Sequence, residues 1–260
     1  MCELLGMSAN VPTDICFSFS GLIRRAGLTG PHTDGWGITF YEGKGSRTFR
    51  DPQPGAHSKI AELVRNYPIK SKVVISHVRR ANRGKIALEN THPFSRELWG
   101  QNWTFAHNGE LKGIKKRRLN FFQPVGTTDS EHAFCWMLDQ LYHEYPRQPR
   151  SENKVVAAIE KAFKDLSKLG VFNVLLSNGQ WLFANCSTNL VWVTRKAPFG
   201  KAQLIDADMQ VDFSKETSDR DIVSIIATRP LTSDESWNVM YKGEIKIFKD
   251  GKIFNYKKKG

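Results

Sequence analysis

A cysteine stands directly after the initiator methionine, in Met1-Cys2-Glu3-Leu4-Leu5-Gly6-Met7, and this start constrains the chain more than any other stretch. Methionine removal requires a small second residue, and cysteine is small enough. The product carries a thiol and a free α-amine on one residue. A thiol titrates near about 8.5 and an α-amine near about 7.7–8.0, so proton transfer between them is nearly balanced. That is the logic of a nucleophile whose base is the chain terminus. The bland alternative is a small residue near a frayed end, and the rest of the chain has to decide between the two.

A chain of 260 residues suits one large domain or two small ones. With 40% hydrophobic and 11% aromatic residues it can bury a sizeable core, which argues against disorder. No apolar run is long enough to cross a membrane, and the start lacks the charged head and apolar centre of a secretory signal. Cys2, Cys16, Cys135 and Cys186 have neither CxxC nor metal-ligand spacing, so the expectation is free thiols, no metal and the cytoplasm. The net charge of +12 raises the question of an acidic partner such as nucleic acid. The basic residues are scattered, however, apart from Lys112 with Lys115 to Arg118, and the tail Lys257 to Lys259. Neither cluster is interleaved with regularly spaced aromatics, as a single-strand-binding surface would be. A solvated face and a basic tail at 257–260 are the simpler reading.

In chain order, residues 2–7 read as a short strand and 18–26 as a short helix ended by Gly27 and Gly30-Pro31. Asp34-Gly35 signals a turn before a strand carrying Trp36, Ile38 and Phe40, with a return strand at 47–50. A helix follows over 58–66, then a buried strand at Val73-Val74-Ile75 that leads into His77-Val78-Arg79. Residues 90–94 read as a loop, and strand 103–106 delivers His107-Asn108-Gly109 to its end. Thr128 and Glu131 fit a capping box opening the clearest helix, with Ala133, Phe134, Met137, Leu138 and Leu141 at helical spacing. A second long helix over 152–169 stops at Gly170. The last third reads as strands at 171–176, 180–184, 190–194, 222–227, 244–248 and 252–256, with hairpin turns at Asn178-Gly179 and Asp250-Gly251. Long helices interrupting two groups of strands favour a layered α+β domain over a parallel α/β fold.

Three short segments complete the picture: His77-Val78-Arg79, His107-Asn108-Gly109 and Thr128-Asp129. Each is expected at a strand end or a helix start, where a rigid scaffold can aim side chains at a shared cleft. Together with Cys2, with Thr91-His92-Pro93 and with the continuation Ser130-Glu131, this ordered set resembles the class II glutamine amidotransferases. Those are N-terminal-nucleophile (Ntn) hydrolases with a terminal cysteine. The match is direct over about residues 2–140, and Asp34-Gly35-Trp36-Gly37 resembles the stand-alone branch, in which the domain is not fused to a synthase.

The resemblance implies an α+β fold of the Ntn-hydrolase type, a four-layer αββα sandwich with two mainly antiparallel sheets, as a single domain over 2–256. It implies that Cys2 attacks the side-chain amide of glutamine and forms a thioester, with its own α-amine moving the proton. Asn108 and Gly109 would hold the oxyanion. Arg79 would take the substrate carboxylate and Asp129 its ammonium. On the residues alone, His77, His92 and His107 read as satisfied structural histidines and none as the catalytic base; the resemblance implies that His77 supports the site and that His92 lies near it, as a substrate contact. No cofactor is expected. One departure concerns the outer contacts: where better-known members carry a Thr-His pair, this chain has Asn82 and Arg83. Asn82 can still hydrogen-bond substrate, and the change leaves open a γ-glutamyl peptide or conjugate larger than glutamine. No synthase domain fits in the remaining residues, so ammonia transfer would need a synthase subunit as partner. The rival of another class is a basic nucleic-acid-binding module with a relic site, supported only by the charge.

Overall fold

The structure, a computed structural model, describes residues 2–81, 84–213, 218 and 220–255. Asn82, Arg83 and the tail 257–260 lie outside the described residues.

The chain opens with β1 (Glu3–Thr13) and α1 (Cys16–Arg24). A hairpin of β2 (Trp36–Glu42) and β3 (Gly45–Asp51) precedes α2 (Lys59–Asn66) and β4 (Ser71–Val78). Next come β5 (Phe94–Leu98) and β6 (Gln101–Leu111), then the long helices α3 (Asp129–Glu144) and α4 (Glu152–Ser167). The last third holds β7 (Gly170–Ser177), β8 (Trp181–Asn185), β9 (Val191–Lys196), β10 (Lys201–Gln203) and β11 (Gln210–Asp212). It ends with β12 (Ile222–Ala227), β13 (Asn238–Val239) and the hairpin of β14 (Ile245–Lys249) and β15 (Lys252–Ile253).

Two large sheets organise these strands. One has seven in the order β13-β9-β12-β1-β4-β2-β3, the other six in the order β15-β14-β8-β7-β6-β5. Their neighbours pair antiparallel. β1 sits inside the first sheet and is apolar on both faces, as a strand covered on both sides has to be. Leu5, Met7 and Ala9 join Phe19 and Leu22 of α1 and Ala61 and Val64 of α2 in one buried cluster. Leu4 points the other way, into a cluster between the sheets with Ile75, Ala106, Leu175, Leu182 and Ile226. On the far side, Phe105 and Phe172 pack against Phe134, Leu138, Ile159 and Phe163 of α3 and α4. Phe105 stacks on Phe134 with centroids 5.0 Å apart. Such pairs add about 0.5–1.5 kcal/mol beyond their burial. These three clusters separate four layers, αββα, as expected. Gly6 is what lets the sheets close up, since a Cβ there would stand 3.0 and 3.1 Å from methyls of Leu182 and Leu175.

Several local expectations are corrected. β6 does not end before His107 but runs through Asn108 and Gly109 to Leu111, because β7 pairs with it from Thr104 to Leu111. β5 begins at Phe94, where a loop was expected. α1 starts two residues early, because the Asp14 carboxylate accepts from the Cys16 N–H at 3.1 Å. Only half of the capping box forms. The Thr128 hydroxyl accepts from the Glu131 N–H at 3.1 Å, but the Glu131 carboxylate is taken by Arg96 and by the N–H groups of Val125 and Gly126. Gly170 opens β7 rather than stopping α4, which is capped by Lys168. The basic cluster is partly tied into its own chain: Lys115 donates to the Thr127 carbonyl at 2.5 Å, and Arg117 lies 4.1 Å over the Trp136 ring.

Candidate active site

Cys2 stands at the head of β1, flanked by β4 and facing β6 across the sandwich. Asn108 holds it from both sides. The Cys2 N–H donates to Asn108 Oδ1 at 3.0 Å, and Asn108 Nδ2 donates to the Cys2 carbonyl at 2.7 Å. A donor and an acceptor on the same backbone residue leave only one orientation for the amide. One of the two Nδ2 hydrogens is spent on Cys2, and the other has no acceptor among the described residues. Asn108 is itself anchored by Asn173 across β7, whose Nδ2 donates to the Asn108 carbonyl at 3.2 Å and to Thr188 Oγ1 at 2.8 Å. Asn173 Oδ1 accepts from the N–H groups of Ser187 and Thr188.

The thiol is half-buried, and among the described residues it meets main chain rather than a side-chain base. Sγ accepts from the Arg80 N–H at 3.3 Å and lies 3.5 Å from the Arg80 carbonyl. Burial pushes the thiol above its ordinary range, while the Arg80 hydrogen bond and the Arg79 charge pull it back.

The turn at Asp34-Gly35 fastens the segment that carries these contacts. Gly35 accepts from the Arg79 N–H at 2.8 Å, Asp34 donates its N–H to the Arg79 carbonyl at 3.1 Å, and Asp34 Oδ2 accepts from the Ala81 N–H at 2.7 Å. The Arg79 guanidinium is buried and donates to the carbonyls of Lys85 at 3.2 Å and Asp34 at 3.4 Å. Asp34 thus joins the site, although the sequence marks it as part of a turn and of the stand-alone-branch resemblance, with no site role.

On the opposite strand, Asp129 is the first residue of α3, and its Oδ2 accepts from the Leu111 N–H at 2.8 Å, leaving Oδ1 uncommitted in that contact. His107 packs beneath, with Nε2 3.0 Å from the Val171 carbonyl and Nδ1 2.8 Å from Ser130 Oγ. The carbonyl can only accept, so Nε2 carries the proton and the Ser130 hydroxyl donates to Nδ1. Burial lowers the His107 pKa, against the Asp129 charge and the Val171 bond.

His77 and His92 form a buried stack with ring centroids 4.3 Å apart, and His92 lies equally close to Phe94. Burial drives His77 down to about 3, with Arg79 adding to it, and carries His92 well below its usual value. Among the described residues both His92 nitrogens are shut from solvent without a hydrogen-bond partner, and the ring packs between His77 and Phe94. Gly109 is exposed, and a Cβ there would collide with the Val171 carbonyl; the close approach that glycine permits is to β7.

The sequence-selected residues therefore fall into a connected set. Cys2 touches Asn108 directly, Arg79 adjoins the residue that holds Sγ, and Asp129 bonds the strand of Asn108 and Gly109. Glu3 was not singled out, yet it is buried beside Cys2. Its Oε2 lies 3.2 Å from Arg25 Nη1, and its Oε1 lies 2.6 Å from Arg229 Nη2 and 4.0 Å from His32 Nε2. Arg25 in turn holds Asp206 at 2.7 Å. A charge inside an apolar strand start was the available signal. Asn173 and Ser130 gave none. Among the described residues no group of three potential ligands gathers for a metal, and no helix is long and apolar enough to cross a membrane.

The family model described as "Glutamine amidotransferases class-II" matches residues 1–259. The chain belongs to this family. It is 60% identical over 248 residues to "Putative glutamine amidotransferase YafJ" of Escherichia coli K12, covering 95% of this chain and 97% of that protein. A "Putative glutamine amidotransferase" of Haemophilus influenzae is 53% identical over 96% of this chain and 85% of its own length. Among solved structures, a "predicted glutamine amidotransferase" of Pseudomonas aeruginosa is 50% identical with a TM-score of 0.79, over 98% of this chain and all of that one. Glutamine phosphoribosylpyrophosphate amidotransferase of B. subtilis matches with a TM-score of 0.62 at 14% identity, covering 97% of this chain and 48% of the longer one. At that identity the likeness concerns the fold alone, and it agrees with the αββα layering of this amidotransferase-family protein.

Proposed function

We propose that this protein hydrolyses the γ-amide of glutamine through a thioester on Cys2, releasing glutamate and ammonia, with residues 2–256 as one amidotransferase domain. The observation that carries this reading is the two-sided grip of Asn108 on Cys2. With Met1 in place the Cys2 nitrogen belongs to a peptide bond; once Met1 is removed it becomes an α-amine. Its hydrogen bond to Asn108 Oδ1 then turns the amine so that its lone pair can face the thiol of the same residue. The amine takes the thiol proton as sulfur attacks the amide carbon, and returns a proton to the departing ammonia. The free Nδ2 hydrogen of Asn108 and the Gly109 N–H supply the oxyanion donors. Arg79 receives the substrate α-carboxylate and Asp129 Oδ1 the α-ammonium. Asn82 serves as an outer contact, and His92 supports the site from behind through His77. Water then opens the thioester to glutamate. The ammonia is released, or passed to a synthase subunit that docks separately.

The test joins the mass of the intact N-terminus to a glutaminase assay on purified protein, with γ-glutamyl dipeptides as competing substrates. Protein lacking Met1 is expected to release glutamate and ammonia, and the Cys2→Ser variant to lose thioester formation and turnover. Full activity in protein that retains Met1, or parental turnover by Cys2→Ser, overturns the assignment. Turnover of the dipeptides with none of glutamine keeps the nucleophile and moves the substrate to γ-glutamyl conjugates.

A further inference from the structure

A cavity of about 310 Å³ opens on the α1 and α2 side of the seven-stranded sheet, against Met7 and Thr13 of β1 and Val223 and Ile225 of β12. It is separate from the site of Cys2. At about 3.3 Å per residue, Met7 alone lies roughly 17 Å along the strand from Cys2. The floor is apolar and buried, formed by Met7, Phe17, Phe199, Val223 and Ile225. Protein interiors leave few voids larger than a water molecule, and an apolar-walled void takes apolar ligands rather than water. This volume sits at the lower end of the range of about 300–1,000 Å³ found for small-molecule sites.

The polar groups on the wall decide what kind of molecule fits. Ser18 and Ser20 line the cavity, are buried at 3% and 8% exposure, and make no side-chain hydrogen bond among the described residues. Arg65, half-buried in the last turn of α2, makes no hydrogen bond or ion pair among them either. The other lining cation, Arg195, is held by both oxygens of Glu235 at 2.7 Å. The lining acid, Asp14, is engaged with the Cys16 N–H. Among the described residues, what remains uncommitted above the apolar floor is the Arg65 guanidinium, the Ser18 and Ser20 hydroxyls and, on the exposed rim, the Asn66 amide. A guanidinium offers a planar fork that matches a carboxylate.

We propose that this cavity binds a small amphipathic carboxylate, with an aryl or medium-chain acyl body against Phe17, Phe199 and Ile225 and its carboxylate on Arg65. The binding does not depend on the chemistry at Cys2.

Calorimetry and thermal shifts on the Cys2→Ala protein test this with octanoate and 3-phenylpropionate as probes and octylamine as the cationic control. Both carboxylates are expected to bind and to raise Tm with concentration, and octylamine to do neither. Arg65→Gln should weaken octanoate at least tenfold, and Ile225→Phe, which fills the floor, should abolish binding. Cys16 lines the same cavity and is half-buried, whereas Cys135 and Cys186 are buried, so octanoate should slow alkylation of the Cys16 thiol. That readout and the partly exposed Arg65 stand even if Ile225→Phe does not fold. Absence of binding by either carboxylate at millimolar concentration, equal binding of octylamine, octanoate affinity unchanged in Arg65→Gln, or undiminished Cys16 alkylation with octanoate bound overturns the proposal.

Discussion

Glu3→Gln tests whether the buried charges next to Cys2 hold the head of β1. The Glu3 side chain is 4% exposed and meets Arg25, equally buried, at 3.2 Å and Arg229, 57% exposed, at 2.6 Å. Removing one partner of a buried pair costs about 3–5 kcal/mol, because the other charge is left in a poor solvent. Two facts lower that figure here. Arg25 keeps the Asp206 carboxylate at 2.7 Å and the Pro230 carbonyl at 2.6 Å. Glutamine also keeps the shape and one acceptor oxygen. The Arg229 contact carries only the small worth of a solvent-facing pair, about 0–1 kcal/mol. The expected loss is therefore about 2–3 kcal/mol. At about 2–4 °C per kcal/mol for a chain of this size, Tm should fall by about 4–12 °C. Urea unfolding with an unchanged slope, followed by fluorescence, measures the first quantity and calorimetry the second. The exposed partner serves as the control: Arg229→Gln should cost under about 1 kcal/mol. A Glu3→Gln protein within about 0.5 kcal/mol of the parent, or an Arg229→Gln protein that loses as much as Glu3→Gln, refutes the reasoning.

Asn108→Asp keeps size but sets a carboxylate oxygen against the Cys2 carbonyl and removes the Nδ2 donor, so kcat should fall by about 10²–10³-fold while the protein still folds; parental kcat contradicts this. Gly109→Ala should lower both activity and stability, since its methyl group meets the Val171 carbonyl and the end of the β6–β7 pairing must open; amide exchange along 107–111 reads this directly. Stability should fall on acidification. His77 titrates near about 3 in the fold, and His92 and His107 are shifted the same way, so the unfolded chain binds more protons below about pH 6.5. The His77 contribution is fully present above that pH and drains away toward pH 3, by up to about 1.4 kcal/mol per pH unit, and those of His92 and His107 fall in the same direction. Unfolding free energies that stay level between about pH 6.5 and pH 4 contradict it.

Periodicity reached those elements whose burial is decided locally. α3 and α4 fall where the apolar stripes ran, and β12 has the residues its β-branched run implied. The failures share a cause. β1 extends to Thr13 because Ala9 pairs with Val223 and Thr13 with Ser71, neighbours in space and distant in sequence. β5 carries Ser95, Arg96 and Glu97 in five residues and is a strand only because β6 pairs with it along its length. β10 and β11 bond each other across a loop and present no alternation to read. A strand on a sheet edge is made by its partner, and a partner leaves no mark in the local pattern.

The site divides in the same way, by the kind of group that does the holding. Cys2, Arg79, Asn108 and Asp129 could be picked out as candidates because their side chains carry chemistry in a recognisable order. What fixes them in space is largely backbone: the Arg80 N–H on Sγ, the Gly35 carbonyl on the Arg79 N–H, and the Leu111 N–H on Asp129. Every residue but proline offers such donors and acceptors, so no residue type announces them. Two side chains with no assigned role in the sequence serve this backbone. Asp34 receives the Ala81 N–H, and Asn173 receives those of Ser187 and Thr188 while holding the Asn108 carbonyl. Substituting either should therefore loosen the approach of Cys2 to Asn108 without touching a reacting atom, lowering kcat while the Cys2 thiol still alkylates.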